Sequence, residues 1–216
     1  MIRNSFALKL NQGMRYRFGQ VLYENWTDLT KQLDMHNITN FSMWTAADIV
    51  FGYFESNDVI AEWPDEEKEF FVELNKKFDN CYRWISTPWH PMRLMYEDFG
   101  IVRMSKELIR HRVFFTKLVP GAEEEYKKRH DGLVEARKGK TNSGPDSNFS
   151  IWSAGGYIFG YDEIDTTMEK NRTEADREAD IKWETKMLEI MSWITDDVDW
   201  ITHEHHEHVK RICFHK

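Results

Sequence analysis

The sequence predicts an α+β fold built from two tandem copies of one unit, and three observations lead to this prediction. The run "NFSIWSAGGYIFGYDE" at residues 148–163 repeats "NFSMWTAADIVFGYFE" at residues 40–55, with nine of sixteen positions identical. The 216 residues are enough for two units of about a hundred residues, each with a core of its own. In each copy, segments with the period of a strand and of a helix follow one another in the same order.

The repeat extends over almost the whole chain. The opening "MIRNSFALKL" is echoed by "LIRHRVFFTKL" from Leu108, which sets Arg3 opposite Arg110, and "RWIS" from Arg83 is echoed by "SWIT" from Ser192. The offsets of 107, 108 and 109 residues indicate one duplicated unit with single-residue adjustments. We place the boundary so that residues 1–105 form the first repeat and residues 106–216 the second repeat.

Each repeat is predicted to run strand, helix, strand, strand, helix, strand. Partly alternating apolar residues in "SFALKL" and "RVFFTKL" indicate strands with one buried face. A helix follows each, and the second one begins after Pro120 and Gly121, with three glutamates placed four residues before Lys127, Lys128 and Arg129. The repeated block then reads as a hairpin with turns at residues 46–48 and 154–156.

The last two elements of each repeat are a long helix and a closing strand. In the first repeat the helix is predicted to begin at Pro64 and to carry an apolar stripe that reaches Cys81 and Ile85. Closing strands are expected near residues 95–103 and 209–215, each completing its own unit. This order predicts two ferredoxin-like units, whose uncovered sheet faces would pack together as a fused, pseudo-dimeric α+β barrel.

Composition and charge limit the classes of partner. The formal net charge of −8 argues against nucleic acid and favours a neutral or cationic small molecule. The sequence has no apolar run long enough to span a membrane, and its start lacks the apolar core of a signal peptide, so we expect a cytoplasmic protein. Cys81 and Cys213 match no disulfide framework or zinc motif, and we interpret both as reduced and structural.

The two repeats differ most on their first helix. Tyr126 and His130 are four residues apart in the second repeat, whereas the first repeat has Phe18 and Leu22 at the corresponding positions. A histidine can give or take a proton near neutral pH, and a neighbouring phenol can share its hydrogen bonding. The alternative interpretation is a half-buried structural histidine.

The segment "YKKRHD" at residues 126–131 lies between the strand "RVFFTKLVPG" and the hairpin, and this arrangement resembles the L-rhamnose mutarotase family. The opening "MIRNSFALKLN" resembles the start of that family as well. The resemblance implies that His130 is the acid/base group, that Tyr126 is its partner and that the first repeat is degenerate. The implied reaction interconverts the α and β anomers of a free aldose, such as the 6-deoxyhexose L-rhamnose, without metal or other cofactor.

Further site residues follow from the same resemblance. Asn148 would donate a directional hydrogen bond to the sugar, and Trp152 or Trp193 would cover its apolar face. For Trp152 the alternative interpretation is packing within the hairpin, since both repeats keep a tryptophan at this position. The family carries two adjacent tryptophans late in the second helix, whereas Trp84 and Trp193 are each followed by isoleucine here. This departure leaves the identity of the sugar open.

Two other functions stay open at this point. Barrels of this shape also include haem-degrading and cofactor-free monooxygenases, and the loss of the tyrosine and histidine from the first repeat is also compatible with a non-catalytic sugar-binding protein. The segment "HEHHEH" at residues 203–208 has spacings that could bind zinc, but we interpret it as a solvated segment before a strand. The fused protein is expected to be a monomer or a further homodimer.

Overall fold

The structure is a computed structural model that describes residues 1–171, 173–195 and 208–216. The chain forms two compact units, and their boundaries differ from those of the sequence repeats. Unit 1 comprises Met1–Met92 together with Lys210–Lys216, and unit 2 comprises Arg93–Val209.

Unit 1 is an antiparallel five-stranded sheet with two α-helices and one short 3-10 helix at Ile60–Glu62. Its strands and α-helices are β1 (Ile2–Leu10), α1 (Arg15–Met35), β2 (Thr39–Ala46), β3 (Ile49–Ser56), α2 (Asp65–Lys77), β4 (Tyr82–Trp84) and β10 (Lys210–His215). Leu8, Leu10 and Val50 of the sheet pack with Phe18 and Leu22 of α1 in the core. The helices therefore cover one sheet face, as the prediction of an α+β unit requires.

Unit 2 repeats this plan with a second five-stranded antiparallel sheet. Its elements are β5 (Arg93–Asp98), β6 (Ile109–Leu118), α3 (Glu123–Ala136), β7 (Asp146–Ala154), β8 (Tyr157–Asp165), α4 (Glu174–Leu188) and β9 (Met191–Trp193). The strand orders, β10-β2-β3-β1-β4 and β5-β7-β8-β6-β9, are equivalent position by position. The predicted fold class of two ferredoxin-like α+β units is confirmed, and the barrel arrangement of the two stays a prediction.

The closing strands do not complete the units to which the sequence analysis assigned them. Strand β5, which ends the first repeat, pairs with β7 in the sheet of unit 2, and β10, which ends the second repeat, pairs with β2 in the sheet of unit 1. The repeat pattern predicts that a strand exists but not which sheet edge it pairs with, because both sheets offer the same edge. Each sheet therefore contains one strand from the other repeat.

The second helices are also shorter than the apolar stripe predicted. Helix α2 ends at Lys77, and Asn80 adopts a left-handed conformation with φ of 57°, which turns the chain before Cys81. The segments "RWIS" and "SWIT" consequently contribute to short edge strands, β4 and β9, beside β1 and β6. Apolar residues beyond the helix end continue its period by chance, and the pattern therefore predicts a longer helix than the structure contains.

The register of the sheets sets the offset between the repeats at 108 residues. Gly52 lies opposite Phe6, and Gly160 lies opposite Phe114, and in both pairs the phenylalanine ring occupies the space where a glycine Cβ would stand. Arg3 pairs with Glu55 and His111 pairs with Glu163. His111, and not Arg110, is therefore the counterpart of Arg3.

Both cysteines of unit 1 are unpaired, and burial raises the pKa of each thiol, that of Cys213 to about 12. They are therefore thiols at neutral pH, in keeping with a structural role. Within the described residues, no helix combines the length and the apolar character that crossing a membrane demands.

Candidate active site

Helix α3 places Tyr126 and His130 on its buried side, one turn apart. Three glutamates fill its first turn, where they interact favourably with the helix dipole. Ion pairs from Lys127 to Asp131, at 2.6 Å, and from Arg129 to Glu125, at 2.8 Å, support the outer face of the helix. The sequence prediction that the tyrosine and the histidine share one inward face is therefore met.

The His130 side chain is held in one tautomer. Its ring stacks on the Tyr126 ring, with centroids 4.3 Å apart and planes inclined by 23°, and its Nδ1 lies 3.0 Å from the Tyr126 carbonyl oxygen. A carbonyl oxygen can only accept, so Nδ1 must donate, and Nε2 then carries the lone pair. Burial lowers the pKa of His130 to about 4, although the bond to the Tyr126 carbonyl acts in the opposite direction. At neutral pH the imidazole is thus a neutral base.

Two further aromatic rings meet His130 edge-on. The Tyr96 ring lies 5.4 Å away with the planes inclined by 61°, and the Trp183 ring lies 5.1 Å away at 89°. Tyr96 belongs to β5 and hence to the first repeat in sequence. The first repeat therefore supplies one side chain to the surroundings of His130, because its closing strand lies in the sheet of unit 2.

Trp193, a predicted sugar-covering residue, lies in the same core as Tyr126. Its ring packs against Phe114 at 5.6 Å, and its Nε1 donates a 2.8 Å hydrogen bond to the buried carboxylate of Glu184 on α4. Trp193 is partly exposed, so one part of the indole remains accessible. The structure thus brings three of the five predicted site residues to the helix side of the sheet.

A contact between a partly buried arginine and a fully buried aspartate on the same sheet face was missed by the sequence analysis. Arg112 of β6 and Asp162 of β8 lie opposite each other, with Arg112 Nη2 3.0 Å from Asp162 Oδ2. Burial raises the pKa of Asp162 to about 7, although the Arg112 guanidinium acts in the opposite direction. The counterparts in unit 1 are Asn4 and Phe54, so this pair also distinguishes the two units.

Aromatic contacts connect Arg112 and Asp162 to His130. The Arg112 guanidinium lies 5.6 Å from the centre of the Phe149 ring, and Phe149 packs on Tyr96 at 5.4 Å, which in turn contacts His130. Burial raises the pKa of Tyr96, and the Asp162 carboxylate adds to this increase. These contacts place Asp162 within electrostatic range of a ring that touches the imidazole.

The repeated block contained a signal for Asp162. Phe54 in the first run corresponds to Asp162 in the second, and this is one of the seven differences between the two sixteen-residue runs. The second repeat thus has an acid at a buried strand position where the first repeat has an apolar side chain. Trp183 and Tyr96 gave no comparable signal, because their proximity to His130 arises only through tertiary packing.

Asn148 and Trp152 lie on the other face of the same sheet. The Asn148 amide donates to Glu163 Oε1 at 3.1 Å, and the Tyr161 hydroxyl donates to the same oxygen at 3.0 Å. The Trp152 Nε1 donates to Ser150 Oγ at 3.0 Å. Because side chains alternate between faces along β7, Trp152 points away from Ile151, which packs with the Tyr126 core.

Unit 1 contains the same polar contacts on the face away from its helices. Asn40 and Tyr53 donate to Glu55, and the Trp44 indole donates to Ser42. Asn40 and Asn148 have nearly equal positive φ values of 53° and 54°, each at an irregularity in the pairing of the hairpin. A hydrogen-bond network present in both units indicates a role in strand register, and the sugar contacts of Asn148 and Trp152 stay a prediction.

The histidine-rich segment gives no test of the metal prediction, because residues 203–207 lie outside the described residues. In the parts of the chain that the structure describes, no group of three histidine, cysteine or acidic side chains is arranged to hold a metal ion.

Comparisons with known proteins agree with the resemblance seen in the motifs. Residues 111–213 match the model of the family described as L-rhamnose mutarotase, which confirms that resemblance for the second half of the chain. No curated protein matches the chain. A solved structure described as "Putative monooxygenase" from Fusobacterium nucleatum is 8% identical with a TM-score of 0.47, and the match covers 99% of this chain and 93% of that one.

Proposed function

We propose that unit 2 is an aldose mutarotase, and that its substrate is a 6-deoxyhexose such as L-rhamnose. The observation that carries this proposal is the His130 imidazole, which is neutral, fixed in one tautomer and stacked on Tyr126 within the segment that matches the L-rhamnose mutarotase family. A fixed neutral imidazole with Nε2 unprotonated can accept a hydroxyl proton, and its low pKa means that it holds this proton only transiently.

The reaction needs a base and an acid on the two oxygens of the anomeric carbon. His130 Nε2 takes the proton of the anomeric hydroxyl, and the bond between the anomeric carbon and the ring oxygen breaks as the ring oxygen is protonated. The open-chain aldehyde rotates about its first carbon–carbon bond and closes on the other face, and both protons return. The proposed steps move only protons and involve no change of oxidation state, so they require no metal or redox cofactor.

Asp162 is our candidate for the acid. From the sequence, only His130 and Tyr126 were predicted to take part in proton transfer. With a pKa raised to about 7, its carboxyl group retains a proton over much of the range in which His130 is neutral. Two groups whose environments shift their pKa values in opposite directions form a natural acid and base pair. We expect the exchange rate to be highest between about pH 4 and about pH 7.

Tyr126 is assigned the role of a positioning residue. Burial raises the pKa of its phenol far above the ordinary value, so the hydroxyl stays protonated and can act only through its ring or as a neutral hydrogen-bonding group. Its ring and its carbonyl oxygen both fix the imidazole. Trp183 meets the base edge-on, and Trp193 packs against the core that contains Tyr126. Such indole rings suit the methyl group and C–H face of a 6-deoxy sugar.

The test is saturation-transfer NMR on equilibrium mixtures of 6-deoxyhexoses and ordinary aldoses, with and without the full-length protein. Exchange between α and β signals of L-rhamnose should become faster with protein, and L-fucose and D-glucose report on specificity. Binding without faster exchange for any sugar would contradict the enzymatic proposal and would indicate a sugar-binding protein.

A further inference from the structure

Unit 1 contains a cavity of about 380 Å³ between its helices and its sheet. The volume lies within the range of about 300–1,000 Å³ that is typical of small-molecule sites. Ten of its 25 lining residues are aromatic, and none of them is Asp, Glu, Lys or Arg. Phe18 and Leu22 of α1 and Phe54 of β3 form part of the wall.

Comparison with unit 2 shows which chemistry this cavity has lost. Phe18 and Leu22 occupy the helix positions of Tyr126 and His130, and Asn4 and Phe54 occupy the sheet positions of Arg112 and Asp162. All four groups to which we assign proton transfer, positioning or charge in unit 2 are thus absent from the wall in unit 1. A polyhydroxylated sugar would leave its hydroxyl groups unpaired against this wall, which disfavours its binding.

The cavity has a mouth built from large apolar side chains. Val72 and Trp84 line it and are 38% and 37% exposed. Trp89, another lining residue, has a φ of 66°, a conformation that is unusual for a bulky residue, and it lies between Pro88 and His90 in the loop after β4. Residues held in a strained backbone conformation are common at ligand-binding sites. The Trp89 ring makes an edge-on contact with the Phe71 ring, with the ring centroids 6.4 Å apart.

Polar groups are confined to a few uncharged or hydrogen-bonded side chains. The Tyr82 hydroxyl donates to Asn75 Oδ1, and both residues, together with His90, line the cavity. Asn4 is already bonded to Ser56 Oγ at 2.9 Å. The wall therefore offers a ligand only a few polar groups, none of them from an acidic residue, a lysine or an arginine.

We propose that unit 1 binds an uncharged, mainly apolar small molecule with a ring system, inserted through the mouth beside Trp84 and Trp89 with its single polar group near Tyr82. This site is distinct from the sugar site proposed for unit 2. The duplication then gives one chain a catalytic unit and a unit that binds a hydrophobic ligand.

The test is a fluorescence titration of the full-length protein with N-phenyl-1-naphthylamine, an uncharged aromatic probe. Saturable binding of one probe per chain, with quenching of tryptophan fluorescence, is expected. Val72→Trp, a change at the exposed mouth, should weaken binding by about tenfold or more, which corresponds to a loss of about 1.4 kcal/mol or more. Val134→Trp in unit 2 is the matched control, because Val134 is 41% exposed and on a helix, and it should bind the probe as wild type does.

The His130→Gln protein separates this inference from the proposed function, because it should bind the probe with unchanged affinity whether or not sugar exchange is lost. Absence of saturable binding to the wild type, or equal affinity in the Val72→Trp and wild-type proteins, would overturn the inference. Displacement of the probe by free aldoses would overturn it as well, because the cavity would then be a second sugar site.

Discussion

His130 and Leu22 occupy the same position on the first helices of the two repeats, which makes them a matched pair for mutation. His130→Gln removes the proposed base while keeping a polar side chain of similar size. Because general acid–base catalysis contributes about 10²–10⁴-fold, we expect anomer exchange to slow by about 10²-fold or more. The measurement is NMR exchange on L-rhamnose, with circular dichroism to verify that the variant is folded.

Leu22→Ala is the control for that change. Leu22 is buried in unit 1, so its truncation should cost about 2–5 kcal/mol of unfolding free energy while leaving exchange near the wild-type rate. Full exchange activity in folded His130→Gln protein would show that His130 has a structural role only.

The opposite pKa shifts of His130 and Asp162 lead to a prediction about stability and pH. The folded pKa of His130, about 4, lies below its ordinary value of 6.5, so its contribution is present above pH 6.5 and is lost as the pH falls towards 4. The folded pKa of Asp162, about 7, lies above its ordinary value of 3.8, so its contribution is present below 3.8 and is lost as the pH rises through 7. Between pH 4 and 6.5 the two slopes oppose each other.

Replacing one of these two residues should therefore reveal how the other makes the unfolding free energy depend on pH. In Asp162→Asn the unfolding free energy should rise with pH across this range, and in His130→Gln it should fall, each by up to about 1.4 kcal/mol per pH unit. Urea unfolding at several pH values between 4 and 6.5 measures both slopes, and the double variant serves as the control. Parallel curves for the two single variants would contradict the assigned shifts.

At the scale of elements, the best-predicted features are those fixed by neighbouring residues. The hairpins and the start of α3 followed from local turn and capping residues, namely Gly155, Gly156, Pro120 and Gly121. The pairing of Tyr126 with His130 followed from helical spacing alone. The predicted end of α2 was wrong, because the chain turns at the left-handed Asn80 before the apolar periodicity of the sequence ends.

The remaining site residues depend on contacts that are distant in sequence. Tyr96 reaches His130 because β5 lies in the sheet of unit 2, and Trp183 reaches it from α4. No periodicity in one element contains this information. Asn148 and Trp152 were predicted to contact the sugar from the resemblance to the mutarotase family, and that role stays a prediction. The same hydrogen bonds in unit 1 indicate that both residues also support strand register.

The glycine on β3 provides a prediction about the packing of strands. A Cβ at Gly52 would stand 2.1 Å from Cζ of Phe6, so Gly52→Ala should displace the ring and cost about 1–3 kcal/mol. Phe6→Leu in the same chain should recover part of this loss, because the two sites are in contact. Gly19→Ala is the control: nothing lies within 4 Å of its Cβ position on α1, and the change should stabilise by about 0.5–1 kcal/mol. Thermal melting of the wild type, the two single variants, their double variant and the Gly19→Ala control decides, and additive effects of Gly52→Ala and Phe6→Leu would refute the proposed clash.

At the scale of the whole molecule, the exchange of closing strands links the two repeats. The segment between β5 and β6 is accessible, since Met104 is 95% exposed. A specific protease site introduced after Met104 would divide the chain close to the repeat boundary. The first fragment would carry β5 of the unit 2 sheet, and the second fragment would carry β10 of the unit 1 sheet.

We expect these two fragments to remain together after cleavage under native conditions. Separation would remove one strand from each sheet and expose the hydrogen-bonding edges of β2 and β7, which pair with β10 and β5 in the intact chain. Size-exclusion chromatography should therefore give a single peak at the size of the uncleaved protein, and two peaks only in denaturant. A chain that ends at Val209 should behave differently, with unit 1 losing stability because β2 lacks its partner. Two separate, folded fragments in native buffer would show that each repeat closes its own sheet, as the sequence analysis first predicted.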